Sequence, residues 1–509
     1  MKAVTKVFYI SVIIVFLFII WGIIPKDLLP NGNLNEVTTT IQNFIVNHFG
    51  WFYLITTTGF LGFSIYLMLS KYGKIKLGRP NDTPEFSYIS WFAMLFSAGM
   101  GIGLVFWGAA EPLSHFYTPP YGEGGTPDAA KLGMKYSFLH WGLHPWAVYS
   151  TLGLALAYFK FRKQASGVVS SVLKPILGER VKGPWGTTID TIVVFATVFG
   201  VATSLGFGAI QISGGLSFVF GIDQSVFIEL IIIGIVTILF MASTISGLGK
   251  GIKYLSNTNL VLALMLMLFV LFLGPTNFIM NLFTTTFGSY IQDIPSMSLR
   301  MAPFNESSTD WINGWTIFYW AWWIAWAPFV GTFIARVSRG RTVREFVSGV
   351  LLVPTLVGGI WFSVFGGTAI HFDYTKGTNL IAAINDLGEE VALFAMLEYL
   401  PLGTFVSIIG ILLISTFFIT SADSATLVLG MQTTGGSLDP SNSVKFTWGI
   451  IQSATAAVLL WQGGLEALQT ASIIAAFPFS IIMILIVIAL MKAFQEEQQV
   501  LETKKRKTQ

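Results

Sequence analysis

Two clusters of aromatic residues, far apart in the chain, carry the side chains best suited to bind a ligand. The first is Trp141-Gly-Leu-His-Pro-Trp146-Ala-Val-Tyr149, and the second is Tyr319-Trp-Ala-Trp-Trp-Ile-Ala-Trp-Ala-Pro-Phe329. Several ring faces together can hold a quaternary ammonium group. A single cluster would more often mark a membrane interface or a packed core. Two clusters, each containing a proline that can interrupt a helix, favour a binding site.

The elements that position these rings must be membrane helices. Trp141, Trp146 and Tyr149 lie inside the apolar stretch 136–159. On a helix with about 100° per residue, Tyr149 is about 60° from Trp146, and Trp141 is about 140° from it. Pro145 removes one backbone hydrogen bond and can open this turn, which would bring the three rings toward one cavity.

Composition places the chain among polytopic membrane proteins. Of its 509 residues, 53% are hydrophobic and 11% are charged, and the mean hydropathy is +0.69. Soluble domains carry about 25% charged residues. Cysteine is absent, which excludes disulfides, thiolate metal sites and cysteine nucleophiles. Because neither a P-loop nor an HExxH motif occurs, we expect no enzyme and no direct use of ATP.

Twelve apolar helices are predicted to span the membrane, since each approaches or exceeds the length that a bilayer requires. With the N-terminus inside, only Lys26, Lys131, Lys135, Arg300 and Lys376 among the 29 basic residues fall on the outer side. This asymmetry predicts that both termini are cytoplasmic. The predicted spans are residues 7–25, 51–70, 86–107, 136–159, 188–215, 226–246, 257–283, 314–336, 345–367, 403–430, 445–461 and 468–492.

The spans divide into two extra helices and two sets of five. Each set of five opens on an interrupted helix, one at Gly99–Gly103 and the other near Pro328. Repeats with an odd number of spans have opposite orientations, as in LeuT-like transporters with sites near the bilayer midplane. We therefore predict an N-terminal tail with two peripheral helices (1–85), a first repeat (86–283), an outer or interfacial segment with a second repeat (284–492), and a short cytoplasmic tail (493–509).

Two polar segments within the spans are candidate ligand sites. The glycine-rich segment Ser97-Ala-Gly99-Met-Gly101-Ile-Gly103 exposes backbone groups that a ligand can satisfy, although small residues also allow close helix packing. The hydroxyls of Thr420 and Ser421 suit a small monovalent cation, or bond to their own helix. Asp190 and Asp423 are either functional intramembrane carboxylates or helix-end residues.

A metal-dependent enzyme is an alternative class. His140 and His144 are four residues apart, so their rings could face one metal ion. Packing or hydrogen bonding within the helix bundle is the favoured interpretation of both side chains.

These motifs together resemble the betaine–carnitine–choline transporter family. The resemblance rests on Gly99-Met-Gly-Ile-Gly103 with Glu111-Pro112, on both tryptophan segments, on Arg336-Val-Ser-Arg339-Gly-Arg341 and on Thr420-Ser-Ala-Asp-Ser424. It is closest to sodium-coupled glycine betaine transporters. It implies an all-α, LeuT-like core of ten helices after two extra ones, multi-pass in the bacterial inner (plasma) membrane, and a homotrimer.

The resemblance also implies the roles of individual residues. The substrate's trimethylammonium group would lie in an aromatic box of Trp141, Trp146, Tyr149 and Trp323. Trp326 would lie on the substrate path, and the substrate would be approached by the segment containing Gly99, Met100, Gly101 and Gly103. Sodium ions would serve for coupling, with no other cofactor and no nucleic acid. One sodium would be held by Ser97, Met100, Phe417, Thr420 and Ser421, and a second near Thr197 and Phe329.

We expect sodium-coupled uptake of glycine betaine or a related quaternary ammonium osmolyte by alternating access. Val201 stands where the family pattern has a hydroxyl residue four positions after Thr197, so the second sodium site lacks this hydroxyl, although Thr203 and Ser204 lie close by. Relatives that work without sodium use a buried cation or a methionine sulfur instead. The alternatives are such a carnitine or choline exchanger, or a channel or transport-like osmosensor.

Overall fold

The computed structural model describes residues 4–30, 32–99, 101–246 and 249–508. Within these residues the protein is helical, and the extended pairing is limited to one bridge between Lys76 and Thr342. The helices are α1 (Lys6–Ile23), α2 (Leu34–Leu69), α3 (Tyr88–Gly99), α4 (Ile102–Tyr117), α5 (Pro127–Trp141), α6 (Leu143–Ala157), α7 (Val169–Val172), α8 (Lys174–Leu177), α9 (Pro184–Phe220), α10 (Val226–Ser246), α11 (Gly249–Leu273), α12 (Thr276–Ser298), α13 (Glu306–Trp311), α14 (Phe318–Val337), α15 (Val343–His371), α16 (Leu380–Leu387), α17 (Ala392–Glu398), α18 (Gly403–Thr433) and α19 (Asn442–Thr508).

Short irregular turns extend or connect several of these helices. Single 3₁₀ turns lie at Lys26–Leu28, Lys71–Lys74, Gly178–Lys182 and Glu389–Val391. Wider π turns lie at Tyr158–Arg162, Ile312–Ile317 and Phe372–Lys376, and the second of these joins α13 to α14 without a break.

Nine helical segments of the described chain are long and apolar enough to cross a membrane. The last of them, Asn442–Val500, contains both predicted spans 445–461 and 468–492. The predicted spans 86–107 and 136–159 are absent from the nine because each is folded as a pair of shorter helices, α3 with α4 and α5 with α6. The all-helical membrane fold is therefore confirmed, whereas the count of twelve and the inverted repeat stay predictions.

The prediction of one continuous helix over 257–283 is wrong at Gly274-Pro275. Helix α11 ends at Leu273, and Gly274-Pro275 separates it from α12. Proline has no backbone N–H and disfavours helical geometry in the residue before it, so the ladder stops there. Helix α12 continues to Ser298 through a region predicted as an outer loop, and the predicted repeat boundary at 283 falls inside it.

A helix interruption near Pro328 was also predicted, and this prediction is wrong. Helix α14 runs unbroken from Phe318 to Val337. Membrane helices tolerate proline where neighbouring helices surround it, and Pro328 is buried. The irregular part of this span is the π turn before α14 instead.

The interruption predicted in the glycine segment is confirmed. Helix α3 ends at Gly99, and Gly101 has an extended backbone (φ −151°, ψ −155°) before α4 begins. Met100 lies outside the described residues.

A second break, at Gly142, separates α5 from α6 three residues before Pro145. Pro145 thus occupies the first turn of α6, where its missing N–H costs no hydrogen bond.

Helix α14 runs through the middle of the bundle, in contact with α6, α9 and α19. Its Gly331 approaches Gly153 of α6 so closely that a Cβ at Gly153 would lie 3.2 Å from the Gly331 carbonyl oxygen. A Cβ at Gly200 of α9 would likewise lie 2.9 Å from the backbone of Ala325. Small residues let helices pack backbone to backbone in membranes. These approaches bring the two tryptophan segments together.

The C-terminal part of the chain is helical and packs on the π turn Tyr158–Arg162 that follows α6. Ala493 and Phe494 are buried, and Glu497 accepts hydrogen bonds from Tyr158 (2.7 Å) and from Arg162 Nε (2.7 Å). The predicted short tail therefore begins as a docked continuation of α19.

Helix α19 bends at Gly463 and Gly464. Gly464 has φ +57° and ψ −135°, a conformation in which an L side chain is strained, and nothing lies within 4 Å of a Cβ there. We expect Gly464→Ala to lower the free energy of unfolding by about 1 kcal/mol or more through backbone strain alone. Thermal unfolding in detergent measures this. Gly59→Ala, in regular α2 and equally uncrowded, should leave the midpoint unchanged or raise it; equal losses in both variants would contradict the strain argument.

Candidate substrate and ion site

The rings of the two tryptophan segments meet in one continuous chain. Trp141 contacts Trp323 with ring centroids 4.8 Å apart at 74°, and Tyr149 contacts Trp323 at 6.2 Å and 82°. Trp146 contacts Tyr149 at 5.5 Å and 86°. Edge-to-face packing of this kind is favourable. All four rings are buried, so a cation between their faces would be shielded from water.

The break at Gly142 helps to orient Trp323. The last carbonyls of a helix have no partner within it. The His140 carbonyl, close to the end of α5, accepts a hydrogen bond from Trp323 Nε1 at 2.8 Å. Trp322 stacks on Trp323 at 4.5 Å and 18°. Trp323 is therefore held by an acceptor on one edge and by a ring on one face.

The glycine segment lies against these rings. A Cβ at Gly103 would lie 2.5 Å from Trp322 Cη2 and 3.2 Å from Trp141 Cη2. At Gly101 the nearest atoms to a Cβ are Ser421 Oγ at 3.7 Å and Trp326 Cη2 at 3.9 Å. The structure thus brings Gly101 and Gly103 to the tryptophans and to the hydroxyl segment. The side chains of residues 96–100, which include Ser97 and Met100, lie outside the described part.

A cavity of about 610 Å³ leads away from Trp326. Phe86, just before α3, and Ser90, in its first turn, line one part of it. Phe417, Thr420 and Ser421 of α18 line another. Phe329 and Phe333 of α14 also lie on its wall. Trp326, on the wall of the cavity, contacts Trp322 with ring centroids 6.4 Å apart. The cavity therefore connects the candidate cation ligands to the stacked rings of the second tryptophan segment.

The hydroxyl segment has a partner that the sequence analysis missed. Asn259 of α11 is buried and donates from Nδ2 to Thr420 Oγ1 at 3.1 Å, while its Oδ1 has no partner. Thr420 in turn bonds to the Thr416 carbonyl at 3.0 Å. In the sequence, the sign of this contact was an amide side chain inside the apolar stretch 257–273. Phe417, Thr420 and Ser421 are thus brought to one cavity, as expected.

The hydroxyls near the second candidate ion site are hydrogen-bonded within the protein. Thr197 bonds to the Val193 carbonyl at 2.7 Å and to Gln432 Oε1 at 3.2 Å. Thr203, which lies near Val201, bonds instead to α19, at Ser472 Oγ (2.8 Å) and the Leu468 carbonyl (3.0 Å). Phe329 packs against Trp326 at 5.4 Å. The Thr203 hydroxyl therefore links α9 to α19.

A buried carboxylate behind the rings is the feature least visible in the sequence. Glu111 is fully buried in α4. Its Oε2 accepts from Trp141 Nε1 at 2.7 Å and from the Tyr319 hydroxyl at 2.6 Å. Its Oε1 bonds to His140 Nδ1 at 2.7 Å and to His115 Nε2 at 3.2 Å. Four groups from α4, α5 and α14 thus share one carboxylate.

The same cluster is the place where described side chains could hold a metal ion. One ligand atom each from Glu111, His115 and His140 lies within 4.8 Å of the others. An ion there would displace the two imidazole hydrogen bonds that now close the network. His140 and His144 do not share a partner, because His144 Nε2 bonds to Ser298 Oγ at 2.8 Å. The pairing of these two histidines on a metal is therefore not supported.

The two intramembrane aspartates are bonded within the protein. Asp190 accepts from the backbone N–H and the hydroxyl of Ser170 at 2.9 and 2.7 Å. Asp423 accepts from the Thr244 hydroxyl. Both carboxylates therefore join neighbouring segments, and neither is part of the ring chain.

Comparison with known proteins finds matches along nearly the whole chain. The profile of the betaine/carnitine/choline family transporters (BCCT) matches residues 6–499. The glycine betaine transporter OpuD of Bacillus subtilis is 54% identical over 500 residues, which cover 98% of this chain and 96% of that protein. The ectoine/hydroxyectoine transporter of Virgibacillus pantothenticus is 47% identical over 482 residues, 94% of each chain. The osmo-dependent choline transporter BetT2 of Acinetobacter baylyi is 39% identical over 494 residues, 96% of this chain and 71% of that protein.

The helical membrane fold and these relatives define the protein as a membrane transporter and not an enzyme. More narrowly, the chain belongs to the betaine/carnitine/choline transporter family. The resemblance read from its motifs is confirmed.

Crowding at Gly103 gives a test of the ring packing. Gly103→Ala places a methyl group 2.5 Å from Trp322, so rings must move, and we expect a loss of about 1–3 kcal/mol of stability. A lower midpoint of thermal unfolding and a changed tryptophan emission spectrum are the measurements. Gly358→Ala, whose Cβ would meet the Trp141 carbonyl at an ordinary 3.8 Å, is the matched control. An unchanged midpoint for Gly103→Ala would show that the rings are not tightly packed on α4.

Proposed function

We propose that the protein takes up glycine betaine, or a related quaternary ammonium osmolyte, by sodium-coupled symport with alternating access. The observation that carries this proposal is the meeting of Trp141, Trp146, Tyr149 and Trp323 in one buried chain of rings. Ring faces attract a methylated ammonium, and the attraction is strongest where water is excluded. A relative with 54% identity is named a glycine betaine transporter.

Unpartnered donors beside the rings support a zwitterionic substrate. The Tyr149 hydroxyl and the indole N–H groups of Trp322 and Trp326 are buried without a hydrogen-bond partner. Buried polar groups in native proteins are normally satisfied. A carboxylate at the other end of a betaine would supply the missing acceptor for such donors, whereas choline would bring a hydroxyl group.

The cavity supports an inward-facing arrangement. Its wall includes Phe86 and Ser90, which closely follow the basic segment 71–79, and Phe333, which precedes Arg336 and Arg339. Basic segments lie on the cytoplasmic side of bacterial membrane proteins. We therefore place the open end of the cavity, and both termini, in the cytoplasm. In this arrangement the path from Trp326 releases substrate inward.

The sodium part of the proposal rests on α18. Hydroxyl and backbone oxygens at an interrupted helix suit a small monovalent cation. Thr420 and Ser421 line the cavity, and Ser421 faces the interrupted segment at Gly101. We place one sodium here, with Ser97, Met100 and Phe417 as further ligands. One positive charge moved through the membrane potential contributes about 2.3 kcal/mol per 100 mV, enough for substantial accumulation of a zwitterion.

The main alternative is exchange without sodium. An exchanger of this kind needs a fixed cation or a methionine sulfur in place of the sodium ion. Spans 188–215, 257–283 and 403–430 contain neither Lys nor Arg, so they supply no fixed cation. Residue 329 is Phe, which has no sulfur. These residues favour sodium coupling.

Ectoine is a second candidate substrate because a relative with 47% identity is named for it. A homotrimer in the bacterial plasma membrane completes the proposal.

Transport into proteoliposomes tests the function as a whole. We expect labelled glycine betaine to accumulate when a sodium gradient is imposed, and to exchange in counterflow. Competition by unlabelled choline, carnitine, proline betaine and ectoine ranks the substrates. Exchange that proceeds without sodium would favour the exchanger, and flux without saturation or counterflow would favour a channel.

The aromatic box is tested at Trp323. Trp323→Leu removes the ring that contacts both Trp141 and Tyr149. Since a desolvated cation–π contact contributes about 2 kcal/mol, we expect the KM for glycine betaine to rise roughly 30-fold. Expression and oligomeric state should be unaltered. Trp461→Leu, at a side chain that is 62% exposed, is the control. A normal KM in Trp323→Leu would refute the box.

The ion site is tested on α18. Replacing Thr420 and Ser421 together by alanine removes two oxygen ligands, so the sodium concentration for half-maximal uptake should rise about tenfold. The control is Thr416→Ala, one turn away, whose hydroxyl bonds to the carbonyls of its own helix at 3.0 and 2.9 Å. If the wild type, the double variant and Thr416→Ala show the same dependence of uptake on sodium, the hydroxyls of Thr420 and Ser421 are not sodium ligands.

A further inference from the structure

From the hydrogen bonds of Glu111 we infer that this carboxylate is a positioning residue for the aromatic box and strengthens cation binding through the indole of Trp141. The inference rests on the proposed function, since it concerns the same substrate site. Glu111 belongs to α4, and none of the roles assigned above from the sequence involves it. Its side chain is 0% exposed, as are those of His115 and His140.

Glu111 reaches the aromatic box directly at Trp141 and indirectly, through Tyr319, at Trp323. The Trp141 ring forms one wall of the box, and its N–H donates to Glu111 Oε2 at 2.7 Å. The Tyr319 hydroxyl donates to the same oxygen at 2.6 Å, and the Tyr319 ring stacks on Trp323 at 5.9 Å and 24°. One carboxylate oxygen therefore fixes a wall on α5 directly and supports the wall on α14 through an intervening ring.

His140 provides a second connection between Glu111 and Trp323. His140 donates to or shares a proton with Glu111 at 2.7 Å, bonds to Thr316 Oγ1 at 3.0 Å, and stacks on Tyr319 at 4.7 Å. Its backbone carbonyl holds Trp323 Nε1. The same histidine thus connects Glu111 to both walls. A displacement of Glu111 would tilt Trp141 and Trp323 together, not one at a time.

The charge of Glu111 acts on the box through the Trp141 indole that donates to it. Hydrogen bonds to an ionised acceptor are roughly twice as strong as neutral ones, and in a low-dielectric interior they polarise the donor. An indole whose N–H donates to a carboxylate has a more electron-rich ring face. The attraction of that face for a cation is electrostatic in origin. The carboxylate therefore increases the affinity of the box for an ammonium without touching it.

A double-mutant cycle on the purified full-length protein tests this coupling. Glu111→Gln keeps the shape of the side chain but removes its charge. Trp141→Phe keeps a ring but removes the N–H. We expect Glu111→Gln to weaken glycine betaine binding about tenfold in the wild-type background and only about threefold in the Trp141→Phe background, where the support of Trp323 through Tyr319 and His140 is all that is left to lose. Equal weakening in both backgrounds would show that Glu111 acts by another route, and no weakening in either would show that it does not act on the box.

Two further measurements keep the outcome decisive. Asp373→Asn, at a buried carboxylate that bonds to Tyr117 at 2.9 Å outside the box, should change affinity in neither background. If Glu111→Gln does not fold, the difference between the ultraviolet resonance Raman spectra of wild type and Trp141→Phe isolates the signal of the Trp141 indole. A band typical of a strongly hydrogen-bonded N–H supports the inference. A band typical of a free N–H overturns it. Failure of the wild type to bind glycine betaine would instead refute the proposed function.

Discussion

The edge-to-face contact between Trp141 and Trp323 is the interaction on which the site depends. It joins α5, which ends at a helix break, to α14, which runs through the centre of the bundle. The contact is possible because Gly103 has no side chain and because Gly153 and Gly331 let α6 approach α14. Backbone proximity thus comes first, and the rings occupy the space that it defines.

Helix interruptions supply the polar groups of the site. A continuous membrane helix satisfies its own N–H and C=O groups, so it presents little polar backbone to a ligand. The breaks at Gly101 and Gly142 free such groups at the level of the tryptophans. One freed carbonyl, that of His140, already orients Trp323. The bundle therefore combines apolar walls with a few directed acceptors.

The helical membrane fold was predictable from the sequence, because the length of apolar segments is a strong constraint in a membrane protein. The glycine break was also visible, since Gly99, Gly101 and Gly103 cannot favour a regular helix. The failures at Pro328 and Gly274-Pro275 have one cause. A proline ends a helix or is tolerated according to what surrounds it, and the sequence does not show the surroundings.

The candidate site was predictable to the extent that its residues stand in motifs. The two tryptophan segments indicated one site, and the structure brings their rings together. Asn259 and the four-donor arrangement at Glu111 were not predictable, because hydrogen bonds between distant helices depend on rotation and register that hydrophobic patterns leave open. Asn259 is an isolated polar residue, and Glu111-Pro112 entered only as part of a family motif.

The cavity beside α18 has a practical consequence because the chain contains no cysteine. Ser90, Ser256 and Ser424 all line that cavity. A single cysteine introduced at any of them would be the only thiol in the protein, with no native thiol to remove first. Membrane-impermeant labels added to either face of sealed vesicles would then show from which side the cavity can be reached, and whether substrate closes it.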